Sequence, residues 1–152
     1  MVRKSASKHR VAPRIVLREE EQHLKKGKLL LKTYSIRKNK RIVGGVVLDF
    51  DLKAYPDNWD MKNLKSSDLG IAKIQVENQY RGKGIGTKIL KKLTTVARKS
   101  KKKRLVLVVY NWNNKAKKFY KREGFEQIGT SKYQGKRENK KHKTVTIMAK
   151  EV

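Results

Sequence analysis

A mixed α/β (α+β) fold, built as a strand meander followed by strand, helix, strand, helix, strand, strand, is what the patterns in this 152-residue chain predict. Three stretches carry the prediction. "KLLLKTYSI" and "RIVGGVVLDF" are β-rich runs separated by the polar "RKNK", a hairpin across residues 29–50. "LGIAKIQV" alternates as a strand does, runs into a turn with three glycines in five positions, and gives way to Ile89, Leu90, Leu93, Val96 and Ala97 at helical spacing. "LVLVVY", 105–110, is apolar throughout, as a strand covered on both faces would be.

The remaining elements follow in order. Residues 1–14 carry five Lys or Arg and no acid and read as a flexible basic arm, with one domain over 15–152. "IVL" at 15–17 begins a strand, and "REEEQHLKKG" after it fits either two turns of helix or an extension of that strand ending at Gly27. Residues 51–68 form a loop centred on Pro56 and Trp59. Ala72, Ile74 and Val76 are expected on one face of the following strand. A second helix runs from Asn114 to Glu123 with Ala116, Phe119 and Tyr120 inward and Gly124 as its C-terminal cap. Two strands, near 126–133 and 144–150, flank the basic loop "QGKRENKKHK".

Composition excludes several classes of function. Forty-one Lys and Arg against 13 Asp and Glu give a net charge of +28, which attracts polyanions and repels small polycations. There is no cysteine, hence no disulfide or thiolate chemistry, and His9, His23 and His142 are too scattered to suggest a metal site. No run approaches the roughly 18 apolar residues of a membrane span and no signal-peptide core is present, so a soluble, cytoplasmic protein is expected.

The glycine turn is the most informative stretch. A strand that feeds a glycine-rich turn and then a helix N-terminus presents several N–H groups to one point, where the helix dipole also favours negative charge. That is a phosphate cradle, and a Cβ there would hold the phosphate off the backbone. The spacing Gly82, Gly84, Gly86 is GxGxG, which satisfies neither the P-loop nor the Rossmann fingerprint.

"RGKGIG" fits RxxGxG through Arg81, Gly84 and Gly86, and "NNKAKKFYKREGF" places Asn113, Ala116, Phe119, Tyr120, Gly124 and Phe125 in the pattern N-x-x-A-x-x-F-Y-x-x-x-G-F. Together these resemble the GNAT superfamily of acyl-CoA-dependent N-acetyltransferases, over roughly residues 69–129. The resemblance implies a mixed, mostly antiparallel central sheet splayed at the cofactor site, with helices on both faces. It implies acetyl-CoA as acyl donor and no metal. Backbone groups near Val76 would hold the pantetheine arm, and the N–H groups of Arg81, Gly82, Lys83, Gly84, Ile85, Gly86 and Thr87 would bind the pyrophosphate, with the Thr87 hydroxyl as a further donor. Lys83 and Lys88 would neutralise the 3′-phosphate or simply be solvated. Asn113 matches a cofactor-contacting asparagine, and capping the next helix is an equally good use of it. Tyr120 matches the tyrosine that protonates the departing CoA thiolate, against the plain alternative of a core aromatic.

Many members of that superfamily carry a glutamate on the strand before the turn as general base, and "IAKIQV" has none. Asp49, Asp51, Asp57, Asp60 and Asp68 form an acidic island expected beside the acceptor site, with Asp57, Asp60 and Asp68 as weak candidates for the base. A site without a strong base suits an α-amine, whose pKa lies near 8, better than a lysine near 10.4. The segment between the first two strands is too short for the helix pair that relatives lay across the acceptor groove, so an open groove and a macromolecular acceptor, a protein tail or an aminoacyl-RNA, are expected. Basic runs at 98–104 and 136–143, with the N-terminal arm, suggest nucleic-acid or ribosome contacts, and a rival reading makes the chain mainly a binding protein on a catalytically weak scaffold.

Overall fold

The computed structural model of the protein describes residues 14–52, 63–133 and 143–152. Seven strands form one sheet in the order β1-β2-β3-β4-β5-β7-β6. They are β1 (Ile15–Lys25), β2 (Lys28–Lys38), β3 (Arg41–Asp49), β4 (Asp68–Val76), β5 (Arg104–Tyr110), β6 (Glu126–Lys132) and β7 (Thr144–Glu151). Every neighbouring pair is antiparallel except β4 and β5. Helix α1 (Ile85–Lys99) connects β4 to β5, and α2 (Asn114–Arg122) connects β5 to β6.

The open question over residues 18–27 is answered by a strand. β1 pairs with β2 from Ile15↔Lys38 to Lys25↔Lys28, and Lys26 and Gly27, both at positive φ, make the two-residue turn. Its acids do not fit a core, but they suit a sheet edge, where charge discourages pairing with other chains. Lys32 and Arg37 of β2 pair with Glu19 at 3.1 Å and Glu20 at 3.6 Å.

One strand face differs from expectation. Val47 pairs with Lys73 and Leu48 with Ile71, so Ala72 is an extra residue in β4, a bulge. Ala72 is therefore exposed, while Leu69 and Ile71 before it and Ile74 and Val76 after it join the core.

The placement of the helices also differs. Ile89, Leu90 and Leu93 of α1 and Phe119 and Tyr120 of α2 enter one cluster, with Ile36, Leu48, Leu105 and Phe125. The opposite side of β5 and β7, through Val106, Ile147 and Ala149, forms a separate small cluster. Helices on both faces were expected, and among the described residues both lie on one. Two right-handed crossovers advancing the same way along a sheet place their helices on the same side. The stretch that would have supplied a helix for the other side is the β1–β2 hairpin.

β4 and β5 pair only at Asp68↔Arg104, Leu69↔Leu105 and Gly70↔Val106, and beyond those three pairs the strands separate. The closed end is pinned by Asp68, which is 1% exposed and accepts from Arg104 Nε and Nη2, both at 2.9 Å, and from the Lys65 N–H at 2.8 Å. Asp68 is therefore a clamp and not a candidate base, a correction with a direct test. Asp68→Asn should lower stability by about 3 kcal/mol, since it leaves Arg104 partly buried without its counter-charge. A melting temperature unchanged in Asp68→Asn would show that this pair does not pin the closed end of the sheet.

Candidate active site

The open end of the β4–β5 split is where the chemistry-bearing motifs converge. β4 ends at Val76, a short 3-10 turn spans Asn78–Tyr80, and α1 begins after Gly84. Gly82 and Gly84 both have φ of 76°, a left-handed conformation that other residues adopt only with strain. The first helical hydrogen bond runs from the Lys88 N–H to the Gly84 carbonyl at 3.2 Å. The N–H groups of residues 82–87 have no acceptor among the described residues. Six consecutive donors thus surround a helix N-terminus, and a Cβ built on Gly82 or Gly84 would meet nothing within 4 Å. The space above the turn is open to an anion.

Gly86 has a different purpose from its neighbours. A Cβ there would stand 2.9 Å from Phe119 Cζ, so the third glycine lets the α2 aromatic lie against the start of α1. Gly86→Ala is accordingly expected to cost about 1–3 kcal/mol through overpacking, readable as a lower melting temperature.

Arg81 donates from Nε to the Val76 carbonyl at 2.8 Å, tying the entry of the turn to the end of β4. Lys83 and Lys88 are exposed beside the cradle. The Thr87 hydroxyl, expected as a phosphate donor, donates instead to Glu123 Oε1. Glu123 is a neighbour of the cradle that motif reading did not single out, because the two residues are 36 positions apart. Asn113 does cap α2, its Oδ1 accepting from the Ala116 N–H at 3.1 Å. Its amide nitrogen has no partner among the described residues.

Tyr120 packs edge-on against Phe119 at 5.2 Å and Phe125 at 5.5 Å between ring centroids. It touches the core cluster that includes Ile74 and Val76 on one side of the split and Leu107 and Val109 on the other. Burial pushes its phenol above the ordinary value near 10, and its hydroxyl has no hydrogen-bond partner among the described residues. The group therefore stays protonated at neutral pH.

The described acids of the island, Asp49, Asp51 and Asp68, do not lie at this end of the sheet. β3 pairs Gly44 with Val76 and Asp49 with Gly70, which sets Asp49 and Asp51 at the closed end, about 20 Å along the strands from Val76. Burial pushes the Asp49 carboxyl up, partly offset by the Asp51 N–H it accepts at 2.9 Å, and Asp51 pairs with Lys28 at 3.5 Å. For Asp49, Asp51 and Asp68 the expectation of a place beside the acceptor is corrected, because β3 ends and β4 begins at the closed end of the split. Asp57 and Asp60 lie outside the described residues. Along the separated segments, Ile71–Val76 and Leu107–Tyr110, there is no acid. An aromatic pair not foreseen from the sequence sits at the end of β5, where Tyr110 and Trp112 stack at 6.1 Å and 8° with Trp112 51% exposed.

The model of the acetyltransferase (GNAT) family matches residues 5–125. This chain belongs to the GNAT family. Among curated relatives, this GNAT chain is 36% identical over 89 residues to thialysine N-epsilon-acetyltransferase of Mus musculus, covering 58% of the chain and 49% of that protein. To the enzyme of that name from Bos taurus it is 38% identical over 70 residues, 46% of the chain and 38% of that protein. The chain thus spans half or less of the length of these relatives. Among solved structures, it superposes on a GNAT acetyltransferase from Elizabethkingia anophelis with acetyl-CoA bound, with a TM-score of 0.62 and 21% identity over 80% of this chain and 76% of that one. It also superposes on the ribosomal-protein-S18-alanine N-acetyltransferase of Escherichia coli, with a TM-score of 0.59 and 18% identity over 79% and 68%. At those identities the solved structures speak for the GNAT fold alone.

Proposed function

We propose that this chain is an acyl-CoA-dependent N-acetyltransferase acting on an amine of low basicity carried by a macromolecule. The observation that carries the reading is the six unpaired N–H groups at the head of α1, placed beside strands that separate after three pairs. Acetyl-CoA supplies an activated thioester and three phosphate groups when bound, and the residues present fit it. Residues 82–87, with Lys83 and Lys88 beside them, would hold the pyrophosphate and 3′-phosphate. The unpaired edge of β4 near Val76 would hold the pantetheine amides as a neighbouring strand would. Asn113 would add a side-chain amide, and Tyr120 holds a proton for the departing sulfur. A thermal shift tests the cofactor assignment: acetyl-CoA at about 100 times its Kd should stabilise the protein by about 2.7 kcal/mol, and an unchanged melting curve would sink it.

The acceptor follows from what the split lacks. Freeing a lysine amine at neutral pH costs on the order of 4 kcal/mol and an α-amine about 1, and no carboxylate on the separated segments is present to help. The curated relatives are named for an Nε-amine, and here an α-amine fits better. The hairpin in place of covering helices leaves the groove open to a large acceptor. With an α-amine acceptor, kcat/KM should rise with pH and level off near pH 8. Because burial raises the Tyr120 pKa, the donor form is lost only above pH 10, so no alkaline decline should appear below that. A rate still climbing tenfold per unit between pH 8 and 10 would point to a lysine acceptor instead.

A further inference from the structure

We infer that the solvent side of α1 and α2 is a docking surface for the phosphodiester backbone of nucleic acid. Each helix carries five Lys or Arg and neither carries an acid. The helices share one face of the sheet and meet where Phe119 rests on Gly86, so their ten cations lie on the same side of the molecule, with Glu123, bonded by Thr87, the acid at the junction.

Among the described residues, the helices hold the densest group of cations without ion-pair partners. Several cations of the sheet find partners, Lys32 with Glu19, Arg37 with Glu20, Lys28 with Asp51 and Arg104 with Asp68, while Lys25, Lys38, Arg41, Lys73 and Lys150 are spread over separate strands without one among the described residues. None of the ten helical cations makes an ion pair among the described residues. Lys88 and Lys92, Lys117 and Lys121, and Lys118 and Arg122 even stand at i,i+4, a like-charge spacing that weakens a helix. Arg98, Lys99, Lys121 and Arg122 in the last turns suit the helix dipoles, but the other six cations bring no such gain, and an external counter-charge explains them.

The kind of partner follows from what accompanies the charge. A membrane-surface helix presents apolar residues beside its lysines. Among the described residues the large exposed apolar side chains are Val16, Leu24, Ile42 and Trp112, none of them on a helix. Protein interfaces likewise centre on buried aromatic or aliphatic anchors, absent from these helical surfaces. A purely cationic strip about 22 Å long, the length of α1, matches a repeating phosphate backbone. The basic run at 98–104 contributes less than its composition suggests, because Lys102 donates to the Ser66 carbonyl and Arg104 clamps Asp68.

The test is fluorescence anisotropy with a labelled single-stranded RNA of mixed sequence, at about 150 mM salt where the Debye length is about 8 Å, with acetyl-CoA present. A dissociation constant of about 10⁻⁵ M or tighter is expected. Replacing Lys92, Lys99 and Lys118 together by Glu should weaken binding at least about tenfold and lower the salt slope by about 2, three phosphate contacts at about 0.7 each. Glu matches Lys in helix propensity, the acid put in the last turn of α1 at Lys99 opposes the helix dipole, and a cooperative melt lowered by only a few degrees verifies the fold. Reversing Lys25, Lys26 and Lys65, which alters net charge equally on other surfaces, should cost far less. Equal losses in the two triple variants would overturn the proposal. So would the absence of a complex at this salt, or binding to polyglutamate or phosphatidylserine vesicles as tight as to RNA.

Discussion

Gly84→Val should abolish acetyl-CoA binding while leaving the domain folded. The φ of 76° is strained for any side chain and most of all for a β-branched one, which costs the turn about 1–2 kcal/mol. The isopropyl group would also project into the open mouth above the free amides. Losing even two hydrogen bonds to a charged phosphate, at about 1.5–3 kcal/mol each, weakens binding more than about 100-fold. The buried core lies beneath α1, through Ile89 and Leu93, and is untouched. The variant should therefore melt cooperatively, a few degrees lower, with no response to acetyl-CoA. Wild-type affinity in Gly84→Val would show that the amides of this turn do not bind the cofactor.

Tyr120→Phe should lower kcat by about 10²–10⁴-fold and leave the KM for acetyl-CoA within a factor of about two. The substitution keeps the ring that packs against Phe119 and Phe125 and removes one hydroxyl that bonds none of the described residues. Stability should hold or rise slightly, because a half-buried hydroxyl without a partner gains nothing from burial. A merely structural tyrosine would give undiminished turnover, so the separation of kcat from melting temperature decides between the two uses of this side chain.

Much of the fold could be read in advance because local pattern and long-range packing agree. Helix α1 has apolar residues at helical spacing and buries Ile89, Leu90, Leu93 and Ala97. Residues 105–110 of β5 are apolar throughout, and the strand is covered on both sides by separate clusters. The failures come where tertiary context overrides local signal. "REEEQHLKK" is compatible alike with a helix and with an extended strand, and the strand is chosen because β2 offers a partner edge and a two-residue turn. Ala72 leaves the face that alternation predicts because a bulge changes its phase, and the trace of this in the sequence is the spacing of Leu69, Ile71, Ile74 and Val76. Within the site, RxxGxG and the α2 motif mark residues local in sequence. The Thr87–Glu123 bond and the Asp68–Arg104 clamp join positions 36 apart, beyond the reach of any short pattern.

The bond from Arg81 Nε to the Val76 carbonyl makes the last residue of β4 and the first of the glycine turn a single mechanical piece. Lys38 and Arg41 on the faces of Tyr80, at 5.0 Å and 5.9 Å from its centroid, brace the same corner from the β2–β3 turn. The ordering entropy of this corner, about 1–2 kcal/mol per residue, is thus spent when the chain folds and not when a ligand arrives. Lysine at position 81 would keep the charge but lose the planar Nε donor, converting a preorganised receptor into one that must freeze on demand.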